Sequence, residues 1–366
     1  MQDTITCREI LMSLIAICGE LPFEQIDRLE GGNRYKYELL RDMKKRKQIK
    51  TFYKDRMRGY RLLDEGKRHL LASNPERFSF YLTGSSETNH IRSEVTRRHR
   101  LHRTAETWIT MLNADVEIFR DRKTNIFSPK WRGDDVRLPA FYSSLEIKEM
   151  GEDMTKIGSS RATGVLLTDE HIYPTYALGD SLIKWPYKAE NRFKTMMQSH
   201  LCHDRLPSRY VRDNISGLIL ANSMYLAGEI LGPSNLGSYF LLNGGYEHFY
   251  YLTNDRYGER ILQLFCDTEL RASLDSLLSE DLAPCNPLLA VENDGIDENG
   301  VPVLFAYTCD LPRLRRFNIA VAIRQARGTV ICFDFQKEVL ERVLNKNIHF
   351  QMIDFEKWER IFFEET

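Results

Sequence analysis

The stretch of sequence that decides the fold is Asn33-Arg-Tyr-Lys-Tyr-Glu-Leu-Leu-Arg-Asp-Met-Lys-Lys-Arg-Lys47. Tyr37, Leu40 and Met43 recur at helical spacing, which predicts an amphipathic helix from residue 34 to about residue 47. Asn33 is a natural N-cap for the first turn of this helix. The opposite face is basic and carries Arg34, Lys36, Arg41, Lys44, Lys45 and Arg46. The stretch therefore predicts a helix with one apolar face and one strongly cationic face.

Two shorter helices are predicted before this stretch. Residues 6–19 combine a wide apolar stripe with a capping-box pair, Thr6 and Glu9, and Gly19 ends the run. Residues 22–30 carry apolar side chains at a spacing of three, and a Gly-Gly turn separates them from the basic helix. The beginning of the chain thus predicts three consecutive helices.

A β-hairpin and a further helix are predicted after the basic helix. Residues 49–54 and 59–63 alternate as strands do, and the link Asp55-Arg-Met-Arg-Gly59 is a basic turn. The segment Tyr60-Arg-Leu-Leu-Asp-Glu-Gly-Lys-Arg-His-Leu-Leu71 resembles the second wing strand and following helix of many bacterial winged-helix regulators. Three helices, a hairpin with a basic tip and a closing helix are the order of a winged helix-turn-helix domain. We therefore predict such a domain over residues 1–75, with double-stranded DNA as its partner.

The charge distribution favours a polyanionic partner at this end of the chain. The 366 residues carry a formal net charge of only −1, but residues 34–68 hold 14 Lys and Arg against 5 Asp and Glu. That surplus, 14 − 5 = 9 positive charges, is more than a small domain needs for solubility. A local cationic block in a nearly neutral protein is typical of contact with a phosphate backbone.

The predicted interface has two parts. The start of the basic helix is expected to read base edges in the major groove, through Asn33, Arg34, Tyr35, Lys36 and Glu38. Phosphate contacts are expected from Lys44, Lys47, Lys54, Arg56 and Arg58, and Arg41 is also placed in the interface. The alternative for the same elements is a winged helix that contacts only proteins, with its cations forming a solvated face.

Residues 76–114 are predicted to be a linker that leads into a basic helix over about 89–112. The first half of that helix carries Arg92, Arg97, Arg98, Arg100 and Arg103. His99 and His102 are three apart, but a metal site needs more ligands than this helix supplies, so no metal is predicted. The histidines are assigned to packing or to a phosphate-facing surface, and the helix is a candidate for homodimer formation.

The rest of the chain predicts α/β structure, divided into a central region, 115–212, and a C-terminal region, 213–366. In the central region, strands are expected over 116–119 and 141–148, followed by a hairpin and a helix. In the C-terminal region, apolar strand-like runs alternate with helical patterns, which indicates a sheet covered by helices. The predicted fold class is therefore a multidomain α+β or α/β protein, with a winged helix-turn-helix followed by one or more α/β domains.

Two charged features stand out in the C-terminal region. Arg313, Arg315, Arg316 and Arg324 fall on one predicted helix, where they can meet phosphate or an acidic neighbour. The acidic segment 292–300 lacks the spacing of a calcium loop and is predicted to be a solvated turn.

Glu146-Ile-Lys148 is the sharpest chemical feature of the chain. On a strand, Glu146 and Lys148 share one face, as in the metal-dependent PD-(D/E)xK nucleases of restriction-endonuclease-like fold. There an upstream Asp completes the site, with Mg²⁺ held by carboxylates, and Asp135 or its neighbour Asp134 is the nearest candidate. The match is partial. In these nucleases the Asp is expected shortly before the strand, ideally after a Pro, whereas here Pro139 is followed by Ala140. No cofactor is predicted apart from Mg²⁺ in the event that the site is a nuclease.

Several segments together resemble the replication-relaxation proteins of plasmids and integrative elements. These are the winged-helix pattern, Arg98-His-Arg-Leu-His102, Leu145-Glu-Ile-Lys148, Ser160-Arg-Ala-Thr-Gly-Val-Leu-Leu-Thr168 and Tyr176-Ala-Leu-Gly-Asp-Ser-Leu-Ile-Lys-Trp185. The resemblance covers about residues 1–200. It implies DNA binding in the replication, transfer or transcriptional control of a mobile genetic element.

Other function classes are disfavoured by composition. No apolar run is long enough to cross a bilayer, and the first residues lack the pattern of a secretory signal, so no membrane partner is expected. The seven Cys are widely spaced without a Cys-x-x-Cys pair, which favours reduced thiols in the cytoplasm. The sequence leaves three hypotheses open: a non-enzymatic DNA-binding regulator, a Mg²⁺-dependent nuclease guided by the winged helix, and an adaptor protein.

Overall fold

A computed structural model describes residues 5–133, 135–151, 160–232, 245–285 and 291–364. The chain divides into two compact units, the first formed by Met1–Asn125 with Asp135–Arg137, and the second by Ile126–Asp134 with Leu138–Thr366. It is a mixed α+β protein with three β-sheets in its described parts. Within those parts, every helix is too short or too polar to span a bilayer.

Unit one holds five α-helices, a 3₁₀ helix and three strands among its described residues. In chain order they are α1 (Cys7–Cys18), β1 (Leu21–Pro22), the 3₁₀ helix (Phe23–Arg28), α2 (Asn33–Lys45), β2 (Ile49–Lys54), β3 (Met57–Leu62), α3 (Asp64–Ser73), α4 (Pro75–Leu82) and α5 (Val95–Asn113). The strands form an antiparallel sheet in the order β1-β3-β2. The predicted hairpin and the helix that follows it are confirmed.

Helix α1 is the centre of this unit, and its ends are as the sequence predicts. The Thr6 side chain accepts from Glu9 N and the Glu9 carboxylate accepts from Thr6 N, which completes the capping box. Gly19 ends the helix at φ 77°, a left-handed conformation that favours glycine. Residues 11–18 of the helix are buried, so they form the core against which the other helices pack.

Helix α2 begins one residue earlier than its sequence predicts. Gly32 occupies the N-cap position without a side-chain hydrogen bond, and Asn33 is the first helical residue, so the predicted Asn33 cap is wrong. Leu40 and Met43 are buried as predicted, and they pack this helix onto the unit. The cationic face lies toward solvent except for Lys36, which is buried.

The turn of the hairpin is tighter than the five-residue link predicted. β2 runs to Lys54 and β3 starts at Met57, so only Asp55 and Arg56 make the turn. Both have positive φ, 53° and 60°, as the central residues of a type I′ turn require. The strand pairing therefore brings the basic residues of the predicted link onto the strand ends and the turn.

Because Arg56 holds a left-handed conformation, Arg56→Gly is expected to stabilise the protein by about 0.5–1 kcal/mol. Glycine reaches that conformation without the steric cost that a Cβ atom brings. Chemical denaturation with the slope held fixed measures the change. Arg58→Gly is the control, since it falls inside a strand where glycine destabilises. A lower midpoint for Arg56→Gly would contradict the turn geometry.

The predicted linker region belongs to the first compact unit. Helix α5 starts at Val95 rather than near residue 89, and it packs against α1, β1 and the 3₁₀ helix. Ala105, Trp108 and Ile109 on α5 are buried. The compact unit therefore extends well beyond the boundary predicted at residue 75.

Unit two is built from strands and helices that alternate along the described chain. Its first half contains β4 (Ala140–Ser143), α6 (Ser144–Ile147), a 3₁₀ turn (Lys148–Met150), β5 (Gly164–Leu167), β6 (Ile172–Gly179), α7 (Tyr187–Met197), a π-helical turn (Gln198–Arg205), β7 (Gly217–Ala221), α8 (Tyr225–Leu231), β8 (Phe249–Thr253), α9 (Arg256–Cys266) and α10 (Thr268–Ser279). Its second half contains β9 (Ala283–Pro284), β10 (Gly295–Ile296), β11 (Pro302–Phe305), α11 (Leu311–Arg324), β12 (Gly328–Phe333), α12 (Asp334–Val343), β13 (Ile348–Ile353), α13 (Phe355–Glu359) and a final π-helical turn (Arg360–Glu364).

The two five-stranded sheets of unit two share one topology. In the sheet β4-β5-β6-β7-β8, the first three strands are antiparallel and the last three are parallel. The sheet β9-β10-β11-β12-β13 repeats that arrangement of strand directions. β6 and β7 pair directly across the boundary predicted at residue 212, so that boundary runs through a single sheet.

Of two strands predicted in the central region, one is absent and the other is shorter than predicted. Residues 116–119 form no strand, although Val116, Ile118 and Phe119 are buried in unit one. The strand predicted over 141–148 ends at Ser143, because that residue caps helix α6. Apolar side chains in a buried irregular segment and in a short helix resemble a strand when only periodicity is considered.

Candidate nucleic-acid interface

The exposed face of α2 carries most of the side chains predicted to contact DNA. Arg34 is 94% exposed and Tyr35 is 56% exposed, and both lie in the first turn of the helix. Arg41, Lys44 and Lys47 are also exposed further along. Arg34 pairs with Glu38 at 3.1 Å, an exposed pair that contributes little to stability. These side chains are accessible to a ligand along the whole length of the helix.

Lys36 is the exception, because it is buried and cannot contact DNA as predicted. Its Nζ donates to Leu29 O and lies 3.5 Å from Asp27 O, at the end of the 3₁₀ helix. Lys36 therefore satisfies carbonyls that a helix end leaves without partners. Desolvation lowers the pKa of this ammonium from its usual value. Residues 36, 40 and 43 lie on one helical face, so the spacing itself already placed Lys36 with the core.

Replacing Lys36 with Met is expected to lower stability by about 1–3 kcal/mol while DNA affinity changes less than about twofold. The substitution keeps the length of the side chain but leaves the Leu29 carbonyl without its donor. Thermal denaturation and duplex titration on the same preparation separate the two effects. A tenfold or greater loss of DNA affinity without loss of stability would show that Lys36 reaches the ligand.

The hairpin supplies a second group of exposed cations. Lys54, Arg56 and Arg58 are exposed at the turn and its flanking strand ends. The Arg58 guanidinium lies 4.1 Å from the centre of the Phe23 ring, a contact that orders the side chain. Arg41, Lys44 and Arg58 line one groove, together with Phe23, Tyr37, Leu40 and Tyr60. Cations of the helix and of the hairpin thus border the same surface depression.

A buried ionic cluster lies on the inner side of the hairpin. Glu20 has no exposed surface, and its carboxylate accepts from Arg61 Nε at 2.8 Å, from Arg98 Nη2 at 2.5 Å and from His102 Nε2 at 3.0 Å. Burial alone raises the pKa of Glu20, but the hydrogen bonds from His102, Arg98 and Arg61 outweigh it and lower that pKa to about 2. The cluster joins β1, β3 and α5 around one charged carboxylate.

Gly59 is required where this cluster meets the sheet. A Cβ atom at Gly59 would lie 2.7 Å from Cγ and Oε1 of Glu20, closer than side-chain atoms pack. The glycine in the middle of β3 therefore marks the close approach of the buried carboxylate. The sequence places Gly59 at the end of the basic turn and the start of a strand, which does not predict this role.

The predicted basic helix, whose histidines were expected to serve in packing or on a phosphate-facing surface, has several of its cations paired with carboxylates of unit one. Arg98 and His102 on α5 contact Glu20, Arg97 pairs with Glu94 at 2.9 Å, and Arg100 pairs with Glu87. Arg98 is completely buried. Arg98 and His102 thus hold α5 against the buried carboxylate, whereas Arg97 and Arg100 are paired with carboxylates at the surface.

The predicted nuclease residues do not form the expected arrangement. Glu146 is buried in α6, where its carboxylate accepts from Ser143 N at 2.8 Å and from Ser143 Oγ at 3.0 Å in a capping box. Lys148 follows on the exposed side of the 3₁₀ turn, and Asp135 is an exposed residue of unit one. Asp134 lies outside the described residues. Glu146 is the capping-box partner of the N-cap residue Ser143, so the shared strand face that suggested catalysis is absent.

The described residues contain no group of three or more His, Cys, Asp or Glu side chains placed to hold a metal ion. The prediction of Mg²⁺ binding depends only on a strand that carries Glu146 and Lys148 on one face, and Glu146 lies in a helix. Because Glu146 serves as a helix cap instead, its carboxylate does not fit the metal-binding role.

In unit two, the arginines of α11 meet an acidic neighbour. Arg313 donates to Glu292 at 2.7 Å and to Asp294 at 2.7 Å, and Arg316 donates to Glu292 at 2.8 Å. The beginning of the acidic segment, predicted as a solvated turn, therefore makes ion pairs. Nearby, His248 Nδ1 lies 2.6 Å from Asp310 Oδ2, and this hydrogen bond raises the pKa of His248. No sequence pattern predicts that pair, because its members are 62 residues apart.

Comparison with known proteins adds no relative: no family model matches the chain, and neither a curated protein nor a solved structure is significantly similar to it.

Proposed function

We propose that unit one is a winged helix-turn-helix domain, and that the protein binds double-stranded DNA through α2 and the hairpin. The observation that carries the proposal is a set of exposed cations on these two elements. Within the described residues, none of Arg41, Lys44, Lys47, Lys54, Arg56 and Arg58 makes an ion pair. On α11, by contrast, Arg313 and Arg316 are paired with carboxylates. Unpaired cations retain their full charge for a polyanion.

The dimensions of the two elements fit a duplex. α2 has 13 residues and is therefore about 20 Å long, and an α-helix fits the major groove, which is about 12 Å wide. Asn33, Arg34 and Tyr35 at its beginning are exposed and carry groups that read base edges. Lys54, Arg56 and Arg58 are exposed at the turn of the hairpin and its strand ends, where they can meet an adjacent phosphate backbone.

The biological setting is proposed on the resemblance to replication-relaxation proteins. We place the protein in control of the replication, transfer or transcription of a mobile genetic element, as a cytoplasmic DNA-binding protein. Homodimer formation stays a prediction. The nuclease alternative is not carried forward, because Glu146 is a buried helix cap.

Equilibrium binding of the full-length chain to labelled duplexes tests the proposal. The duplexes comprise the promoter region of its own gene and a scrambled sequence of equal length, each titrated between 50 and 300 mM KCl. With about six phosphate contacts, the logarithm of the binding constant is expected to fall with a slope of about −5 against the logarithm of salt. No binding at 50 mM KCl would contradict the proposal. Capture of a protein partner that persists after nuclease treatment, without duplex binding, would favour the adaptor function.

A further inference from the structure

The two ends of the hairpin turn are held from inside by a single side chain. Arg98 on α5 donates from Nη1 to Lys54 O at 2.5 Å and from Nη2 to Met57 O at 3.1 Å. Lys54 ends β2 and Met57 begins β3, so the two carbonyls bracket the turn residues. The guanidinium thus spans the base of the turn.

Arg98 is itself held in a fixed position. Its Nε lies 3.1 Å from Glu20 Oε2 and its Nη2 lies 2.5 Å from Glu20 Oε1, which is a two-point contact. The centre of the guanidinium is also 4.8 Å from the ring of Phe52 on β2. Because Arg98 is fully buried, its side chain lacks the rotameric freedom of an exposed arginine.

We infer that Arg98 is a positioning residue for DNA binding: it sets the conformation of the hairpin turn and thereby presents Lys54 and Arg56 to the phosphate backbone. The inference rests on the proposed function, since it names a residue that acts on the same interface without touching the ligand. Because Arg98 lies on α5, the hairpin is positioned by the helix that precedes the second unit in the chain.

The role requires arginine and not merely a positive charge. A guanidinium has donors on three nitrogens in one plane, so it can bind a carboxylate and two carbonyls at once. The ammonium of lysine keeps the charge opposite Glu20 but is a single point with three donors. Arg98→Lys is therefore expected to preserve the ion pair and loosen the turn.

The test is a double-mutant cycle on the full-length chain with the same duplexes. Arg98→Lys and Arg56→Gln are each expected to lower DNA affinity about tenfold and to reduce the salt slope by about one. If Arg98 acts through the turn, the double variant loses about 10- to 20-fold rather than the 100-fold of independent sites. Arg77→Lys is the matched control, because Arg77 is a buried arginine of the same unit, paired with Asp121. It is expected to change DNA affinity less than twofold.

Each result separates this inference from the proposed function. If wild type binds DNA and Arg56→Gln weakens it, a multiplicative loss in the double variant overturns the positioning role, as does full affinity in Arg98→Lys. If wild type does not bind DNA at all, the proposed function fails first. Thermal denaturation confirms that the variants are folded.

If Arg98→Lys does not fold, Glu20→Gln replaces it, since that change removes the charge that fixes Arg98 without altering a hairpin residue. The same non-additivity with Arg56→Gln is then expected, and additivity contradicts the inference.

Discussion

Reversing one charge on α2 and one on the hairpin, Arg41→Glu with Arg56→Glu, is expected to lower affinity for duplex DNA by on the order of 100-fold at 0.1 M salt. Each lost phosphate contact forfeits the release of about one counterion, which is worth nearly tenfold at that concentration. The introduced carboxylates add repulsion. Both side chains are exposed, so the fold has little reason to change.

A salt titration of the double variant measures this loss, and its slope is expected to be smaller by about two than that of wild type. Arg324→Glu with Lys346→Glu is the matched control, because both residues are exposed on unit two and the change in net charge is the same. The control is expected to lose less than about threefold, since binding through long-range field alone is weak at this salt concentration. Equal losses in the two double variants would show that DNA affinity depends only on the net charge of the protein.

Replacing Glu20 with Leu is expected to destabilise the protein by about 3–5 kcal/mol. The substitution leaves Arg61 and Arg98 buried without their carboxylate, and an uncompensated buried charge is far costlier than a lost pair. Denaturant unfolding monitored by circular dichroism measures the change. Glu65→Leu is the control in the same unit, because Glu65 forms an exposed pair with Arg68 and is expected to contribute less than about 1 kcal/mol.

The same cluster predicts a dependence of stability on pH. The folded pKa of Glu20, about 2, lies below its unfolded value of about 4.5, so its contribution is complete above pH 4.5. It is lost as the pH falls from 4.5 toward 2, and the shift corresponds to about 3 kcal/mol. Glu20→Gln is expected to flatten the stability curve of unit one in that window. An unchanged acid limb in Glu20→Gln would show that the carboxylate does not carry this stability.

Local signals were enough to predict much of unit one. The capping box at Thr6, the alternation over 49–54 and the helix start at Asp64 each depend on neighbours within a few residues. Such local contacts depend little on the rest of the fold, and they are present in the structure. The exposed cations of α2 and the hairpin also follow from periodicity alone.

Long-range contacts and overlooked local signals together explain what sequence reasoning missed. Arg98 stands in the sequence only as one arginine of a basic helix, because its partner Glu20 is 78 residues away. Lys36 was placed on the DNA side because charge was given more weight than its helical position. The Glu146 prediction failed for a different reason: a strand that ends in a capping box looks like a longer strand until the cap is recognised. The shared topology of the two sheets in unit two was equally hidden, since strand direction depends on pairing and not on local composition.

Hydrogen–deuterium exchange of the 366-residue chain, with and without saturating duplex at 50 mM KCl, shows directly which residues DNA covers. We expect slower exchange on DNA binding in residues 33–47 and in the hairpin, residues 49–62, with little change in β11, β12 and β13. Protection confined to unit two, or no protection anywhere at a DNA concentration that saturates binding, would contradict the claim that α2 and the hairpin hold the duplex.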